Sequence, residues 1–184
     1  MQTVLTFHRL SPHLDRDRLA WREVFRGTPS FTYATEGRIP TESDADRMID
    51  TLPDAKTAED AYIYAIYANE DICGAAYVAK DYPAQGDANL VLLVLMQKFH
   101  GRFLGVRCVR WIAETARSWG CARLCGVVDT ANERSAKFWE RLGFIEDRRT
   151  PLPGLVGEAI VGHLLLSQES RWLRNNGKAR SFHA

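Results

Sequence analysis

Residues 89–96, Asn-Leu-Val-Leu-Leu-Val-Leu-Met, form a nearly unbroken apolar run, and the chain leaves it through His100-Gly101-Arg102-Phe103-Leu104-Gly105 into an amphipathic helix. A run of this length bounded by a glycine loop reads as a strand buried on both faces. Beyond the loop, Val106, Val109, Ile112, Ala113 and Ala116 recur at helical spacing, with Arg107, Arg110, Glu114 and Arg117 on the other face. Strand, loop and helix in that order require a crossover, which points to a mixed α/β domain. The helix start has a chemical consequence. Its first N–H groups lack intrahelical partners and sit at the positive end of the helix dipole, so they can hold an anion. Gly101 and Gly105 would let the backbone approach such an anion, with Lys98, His100 and Arg102 adding charge.

The elements around this unit complete the domain. Thr3–Phe7 reads as a strand, Asp15–Phe25 as a helix, Gly27–Pro40 as a loop, and Thr41–Pro53 as a second helix with an acidic first turn. Tyr62–Ala68 and Ile72–Lys80 read as a hairpin turning at Asn69-Glu70-Asp71. Gly120 ends the amphipathic helix, and Ala122–Val128 is the next strand. Thr130-Ala131-Asn132-Glu133 matches a capping box for a helix that stops at Gly143, and Phe144-Ile145 and Ala159–Leu166 open the last two strands. At 184 residues with 46% hydrophobic content, one domain over 1–184 is expected.

Composition excludes several functions. Lys and Arg (24) nearly balance Asp and Glu (23), and a net charge of +1 argues against a nucleic-acid binder. No apolar run approaches the roughly 20 residues of a membrane span, and the N-terminus lacks signal-peptide features, so a cytoplasmic protein without membrane contact is expected. Cys73, Cys108, Cys121 and Cys125 form no CxxC and have no His-rich partner segment, so reduced thiols and no metal are expected. The loop lacks the GxxxxGK[ST] and GxGxxG patterns of nucleotide sites.

On the second motif helix, Asn132, Ser135 and Trp139 share a face, and Asn132 offers both a donor and an acceptor to a ligand amide. Read by themselves, Asn132 could equally assist capping and Trp139 fill core.

Together these segments resemble a family. LMQKFHGRFLGVRCVRWI is similar to motif A of the GNAT N-acetyltransferases, a strand followed by R/Q-x-x-G-x-G/A and a helix, with Lys98 at the R/Q position and Phe103 at that of the second Gly or Ala. NERSAKFWERLGF resembles motif B, N-x-x-A-x-x-x-Y-x-x-x-G-F, with Trp139 in place of Tyr. The resemblance spans about Asp87 to Phe144 and implies a central mixed sheet of about six to seven strands flanked by about four helices. It implies acetyl-CoA as co-substrate and no metal. Leu93, Val94 and Leu95 would pair with the pantetheine arm by backbone. The segment His100, Gly101, Arg102, Phe103, Leu104, Gly105 and Val106 would hold the pyrophosphate, and Asn132, Ser135 and Trp139 would border the lower arm.

The implied reaction is direct attack of a primary amine, on a small molecule or a peptide, upon the thioester. An indole cannot replace the tyrosine as a proton donor, so a non-catalytic CoA-binding protein of the same fold is the competing expectation. A phosphate-binding α/β module unrelated to CoA is a third. Family members often carry Glu early in the motif A strand. Here Asn89 stands there, and Asp87, two residues earlier on the same face, is the candidate base. His163 reads as a satisfied histidine. The stretch Glu36 to Asp60, with eight acidic and three basic residues, is either a cation-recruiting surface or a solvated face. The basic tail after Ser170 reads as a frayed end, and a homodimer accords with such folds.

Overall fold

Seven strands and five helices follow one another in a computed structural model that describes residues 3–38, 41–53, 56–57 and 59–167. In chain order they are β1 (Leu5–Arg9), α1 (Asp15–Arg26), α2 (Pro29–Glu36), α3 (Glu42–Asp50), β2 (Ala61–Ala68), β3 (Asp71–Lys80), β4 (Asp87–Leu95), α4 (Leu104–Ser118), β5 (Arg123–Asp129), α5 (Glu133–Arg141), β6 (Ile145–Pro151) and β7 (Glu158–Leu165). A single turn of tighter helix at Gln97–Phe99 lies between β4 and α4. The strands form one sheet in the order β1-β2-β3-β4-β5-β7-β6. Only β4 and β5 pair in parallel, because α4 provides the crossover that such a pair requires.

Aromatic contacts assign the layers. Phe7 of β1 stacks on Trp111 of α4 with centroids 3.8 Å apart, and Tyr64 and Tyr62 of β2 meet Trp111 and Trp119 on the same face. Tyr77 of β3 points to the other face, where its hydroxyl donates to the Thr51 carbonyl at 3.0 Å, just after α3. Trp21 of α1 is fully buried there and donates its indole N–H to the Ala45 carbonyl at 2.8 Å. The sheet is therefore enclosed between α4 with α5 and α1 with α3.

The N-terminal helices differ from the sequence expectation in one respect. Gly27–Pro40, expected as loop, contains α2. Pro29 occupies its first turn, where a missing N–H costs nothing, and Gly37 ends it at φ 69°. The residues that suggested a loop are the start and stop of a short helix. The expected capping box at 130–133 is also replaced. Asn132 caps α5 by accepting from the Ser135 N–H at 3.1 Å, while Thr130 accepts from the Glu158 N–H at 2.9 Å. An asparagine nearer the helix wins the cap, and the threonine is left to tie β5 to β7.

Contrary to the both-faces expectation, burial along β4 alternates between sealed and half-exposed residues, Val91, Leu93 and Leu95 among the latter. An extra residue at Val91 shifts the β3–β4 register. The β4–β5 pairing runs only from Asp87↔Arg123 to Leu90↔Gly126, although both strands continue further. From that point the two strands part.

Arginines secure α1 to α3. Arg22 grips Asp46 with two bonds of 2.8 Å, and Arg18 reaches Asp46 and Asp50. Asp44 closes a true capping box at Thr41 and accepts two bonds of 2.8 Å from Arg38, with Arg47 as a further partner. The Arg38 bonds, then the Thr41 N–H, hold its carboxyl well below the usual aspartate value of 3.8. A depressed folded-state pKa stabilises above the unfolded value and loses that stabilisation as the pH falls below it. Asp44→Asn is accordingly expected to cost about 1–2 kcal/mol at pH 7, since it removes the buried carboxylate charge that the Thr41 cap and the two arginines share. Urea unfolding at pH 7 and at pH 3 measures this, and the gap between wild type and variant should shrink at the lower pH.

Candidate functional site

Where β4 and β5 part, the sheet opens into a cleft of about 640 Å³, within the size range of small-molecule sites. Leu93, Val94 and Leu95 form its floor. Past Leu90, the β5-facing backbone edge of β4 has no strand partner among the described residues. Such an edge can accept an extended ligand as an added strand.

The glycine loop and the start of α4 lie next to it. Phe99 is buried and anchors the loop, and Lys98 and Arg102 lie over its ring at 5.0 and 5.6 Å. His100 bonds through Nε2 to the Leu95 carbonyl at 2.7 Å, so the ring carries its proton on that nitrogen and ties the loop to the strand end. Gly101 has φ 78° with open space around it. Phe103 has φ 57°, which is uncommon for a bulky residue, and its ring is 61% exposed. α4 begins immediately afterwards, so the N–H groups of Leu104, Gly105 and Val106 open onto the cleft without helical acceptors. Gly105 serves packing: a Cβ there would stand 3.3 Å from the Phe138 ring of α5.

α5 forms the facing wall. Asn132, Ser135 and Trp139 all border the cleft. The Asn132 carbonyl oxygen is engaged in the cap, which leaves its amide N–H groups to face a ligand. Trp139 is half-buried against Phe138 and Phe144, at 5.2 and 5.9 Å, so it is core and cleft wall at once.

The residues expected to touch a cofactor thus line one cleft, apart from Arg102, which with Lys98 lies over the Phe99 ring and does not line it. Several lining residues were not among those expected from the sequence. Thr28, Ser30 and Phe31 reach the cleft because α2 exists, and Arg134 and Arg141 reach it from α5. The two arginines sit seven apart inside the second motif, and that spacing could have identified them.

Asp87 is not brought to the cleft. It is 3% exposed and holds Arg123 through bonds of 2.8 and 2.6 Å. It stands six strand positions before Leu93, about 20 Å at the usual rise. His163 bonds to Asp147 at 2.9 Å on β7, also away from the cleft. The four cysteines are free and buried, and burial pushes the Cys73 and Cys125 thiols up to about 11 and raises Cys108 and Cys121 as well. Buried protonated thiols are poor nucleophiles. Asp44, Asp46 and Asp50, at the centre of the acidic stretch, are occupied by arginines. The tail after Ser170 lies outside the described residues. No helix among those residues is long and apolar enough to cross a membrane.

Comparison with known proteins agrees with this geometry. A sequence model of the acetyltransferase (GNAT) family matches residues 20–144, more than half of the chain. No curated protein sequence matches significantly. Among solved structures, an acetyltransferase from Thermus thermophilus superposes with a TM-score of 0.70 at 24% identity, covering 88% of this chain and 97% of that one. The ribosomal-protein-S18-alanine N-acetyltransferase of Escherichia coli gives 0.63 at 16% identity, covering 91% and 97%. Aminoglycoside acetyltransferase AAC(6')-Ib in complex with coenzyme A gives 0.65 at 18% identity, covering 88% and 95%. With its sheet parting beside a helix N-terminus and a family match spanning both motifs, the chain belongs to the GNAT acetyltransferase family.

Proposed function

We propose that this protein transfers an acetyl group from acetyl-CoA to a primary amine, on a small molecule or a peptide, by direct attack. The observation that carries the reading is the single cleft that joins an unpaired strand edge, an open helix N-terminus and the Asn132 helix face. Each suits one part of the cofactor: the edge an extended arm, the N–H groups a pyrophosphate, and the Asn132 amide an amide carbonyl.

Backbone conformation supports a motif A register two residues later than the sequence alone suggests. With His100 at the R/Q position, the first motif glycine falls on Phe103 and the second on Gly105. Phe103 is the residue with positive φ before the helix, and Gly105 is the one whose Cβ would crowd Phe138. Both glycine requirements then have a physical cause.

When bound, acetyl-CoA supplies the acyl group already activated as a thioester. The N–H groups from Gly101 to Val106 would hold its phosphates, β4 would align the arm, and Trp139 would bound the cleft beside it. Trp139 donates no proton, and no carboxylate or tyrosine lines the cleft among the described residues. On this reading the amine arrives neutral and attacks the thioester carbonyl, its surplus proton passes to water as the amide forms, and the carbon–sulfur bond breaks to release the thiolate without an acid. A CoA-binding protein without turnover is the second reading, and the same Trp139 favours it.

Acetyl-CoA titrated against intrinsic tryptophan fluorescence or thermal stability tests the site. Binding is expected for the wild type, loss for Gly101→Glu, and retention for Gly101→Asn, which tolerates positive φ. No response of the wild type at high micromolar cofactor would sink both CoA readings. Phe103→Gly is expected to raise stability by about 0.5–1 kcal/mol, the left-handed strain relieved less the added chain entropy, read as a higher urea midpoint. Trp139→Tyr should leave acetyl-CoA affinity intact and raise thiol release with an amine panel by roughly tenfold or more, as an installed general acid would. Unaltered release would show that departure of the thiolate needs no acid.

A further inference from the structure

The charges of α5 are sorted onto two faces. Arg134, Phe138 and Arg141, at i, i+4 and i+7, border the cofactor cleft. Glu133, Lys137 and Glu140 repeat the same spacing one residue earlier and border a separate cleft against β5, β6 and β7. Lys137 is neutralised by Glu133 at 3.1 Å. Arg134 and Arg141 have no carboxylate partner among the described residues. This contrasts with Arg18, Arg22, Arg38, Arg47 and Arg123, each tied to an aspartate.

The two free guanidinium groups are placed for an anion. Seven residues of helix separate their Cα atoms by about 10 Å, with Phe138 between them. Phe138 faces Gly105, at the N-terminus of α4. The arginines therefore flank the anion-binding end of α4 from across the cleft. Backbone N–H groups suit a pyrophosphate whose charge is spread along a chain. A terminal phosphate dianion is matched better by the planar fork of arginine, which offers paired donors and a full charge.

Resting on the CoA reading above, we infer that Arg134 and Arg141 form a phosphate-reading pair for the ribose 3′-phosphate of the cofactor and set its preference over dephospho-CoA, which lacks only that group. The pair adds affinity at the nucleotide end and leaves thioester chemistry untouched.

Isothermal titration of CoA and of dephospho-CoA at low ionic strength tests this with wild type, the R134Q/R141Q double variant and Lys137→Gln. The wild type is expected to bind CoA about tenfold more tightly than dephospho-CoA. That ratio should fall to near one in the double variant, with dephospho-CoA affinity preserved, and persist in Lys137→Gln. R134K/R141K should restore part of it, because the charge returns without the fork. Unchanged thermal midpoints establish that the variants are folded. Equal wild-type affinity for the two ligands, or a double variant that keeps the wild-type ratio, overturns the phosphate-reading pair while CoA binding stands. Failure of the wild type to bind either ligand overturns the CoA reading and this inference with it.

Discussion

The parallel pairing of β4 and β5 ends at Leu90↔Gly126, and the functional architecture depends on that ending. Before it, the strands are held together by their parallel pairing and by the bonds of the half-exposed Arg123 to the buried Asp87 at the closed end. Beyond it, β4 keeps an edge without a strand partner among the described residues, while β5 stays paired with β7 along its whole length, so space opens between β4 and β5. The extra residue at Val91 sits at the point of divergence and adds the local twist that sends the strand ends apart. An unpaired strand edge inside a protein is unfavourable unless something pairs with it, a role that an extended ligand would fill here.

The helices on that face then acquire their positions. α4 starts at the cleft because its crossover must leave from the end of β4, and its N–H groups come with it. α5 approaches closely where Gly105 has no side chain to crowd the Phe138 ring. Trp139 therefore has two duties, packing against Phe144 and bounding the cleft. On the opposite face, Arg18 and Arg22 of α1 pair with Asp46 and Asp50 of α3, and Asp44 is held by Arg38 and Arg47, so the aspartates at the centre of the acidic stretch are occupied. Beside the cleft, Arg134 and Arg141 have no carboxylate partner among the described residues.

Most elements were legible from periodicity and punctuation. The amphipathic α4, the hairpin of β2 and β3, the stop at Gly143 and the apolar β4 follow from residue spacing and turn chemistry alone. The expected loop at 27–40 hid α2, because Pro and Gly mark helix ends as readily as loops and eight residues carry little periodic signal. The cap of α5 was assigned to Thr130 although Asn132 makes it, since two cap-competent residues lay two positions apart. Asp87 was legible as a strand-end acid, but its partner Arg123 comes from a strand thirty-six residues away.

By itself the sequence determined the fold class, the anion loop and the two motif helices, because these depend on neighbours within a few residues. Tertiary structure alone decided that β4 and β5 part, that α2 supplies a cleft wall, that Phe103 occupies the left-handed position, and which charges remain unpaired. Each of those is set by strands and helices distant in the chain competing for the same space and the same hydrogen bonds, and local residue patterns carry no record of that competition.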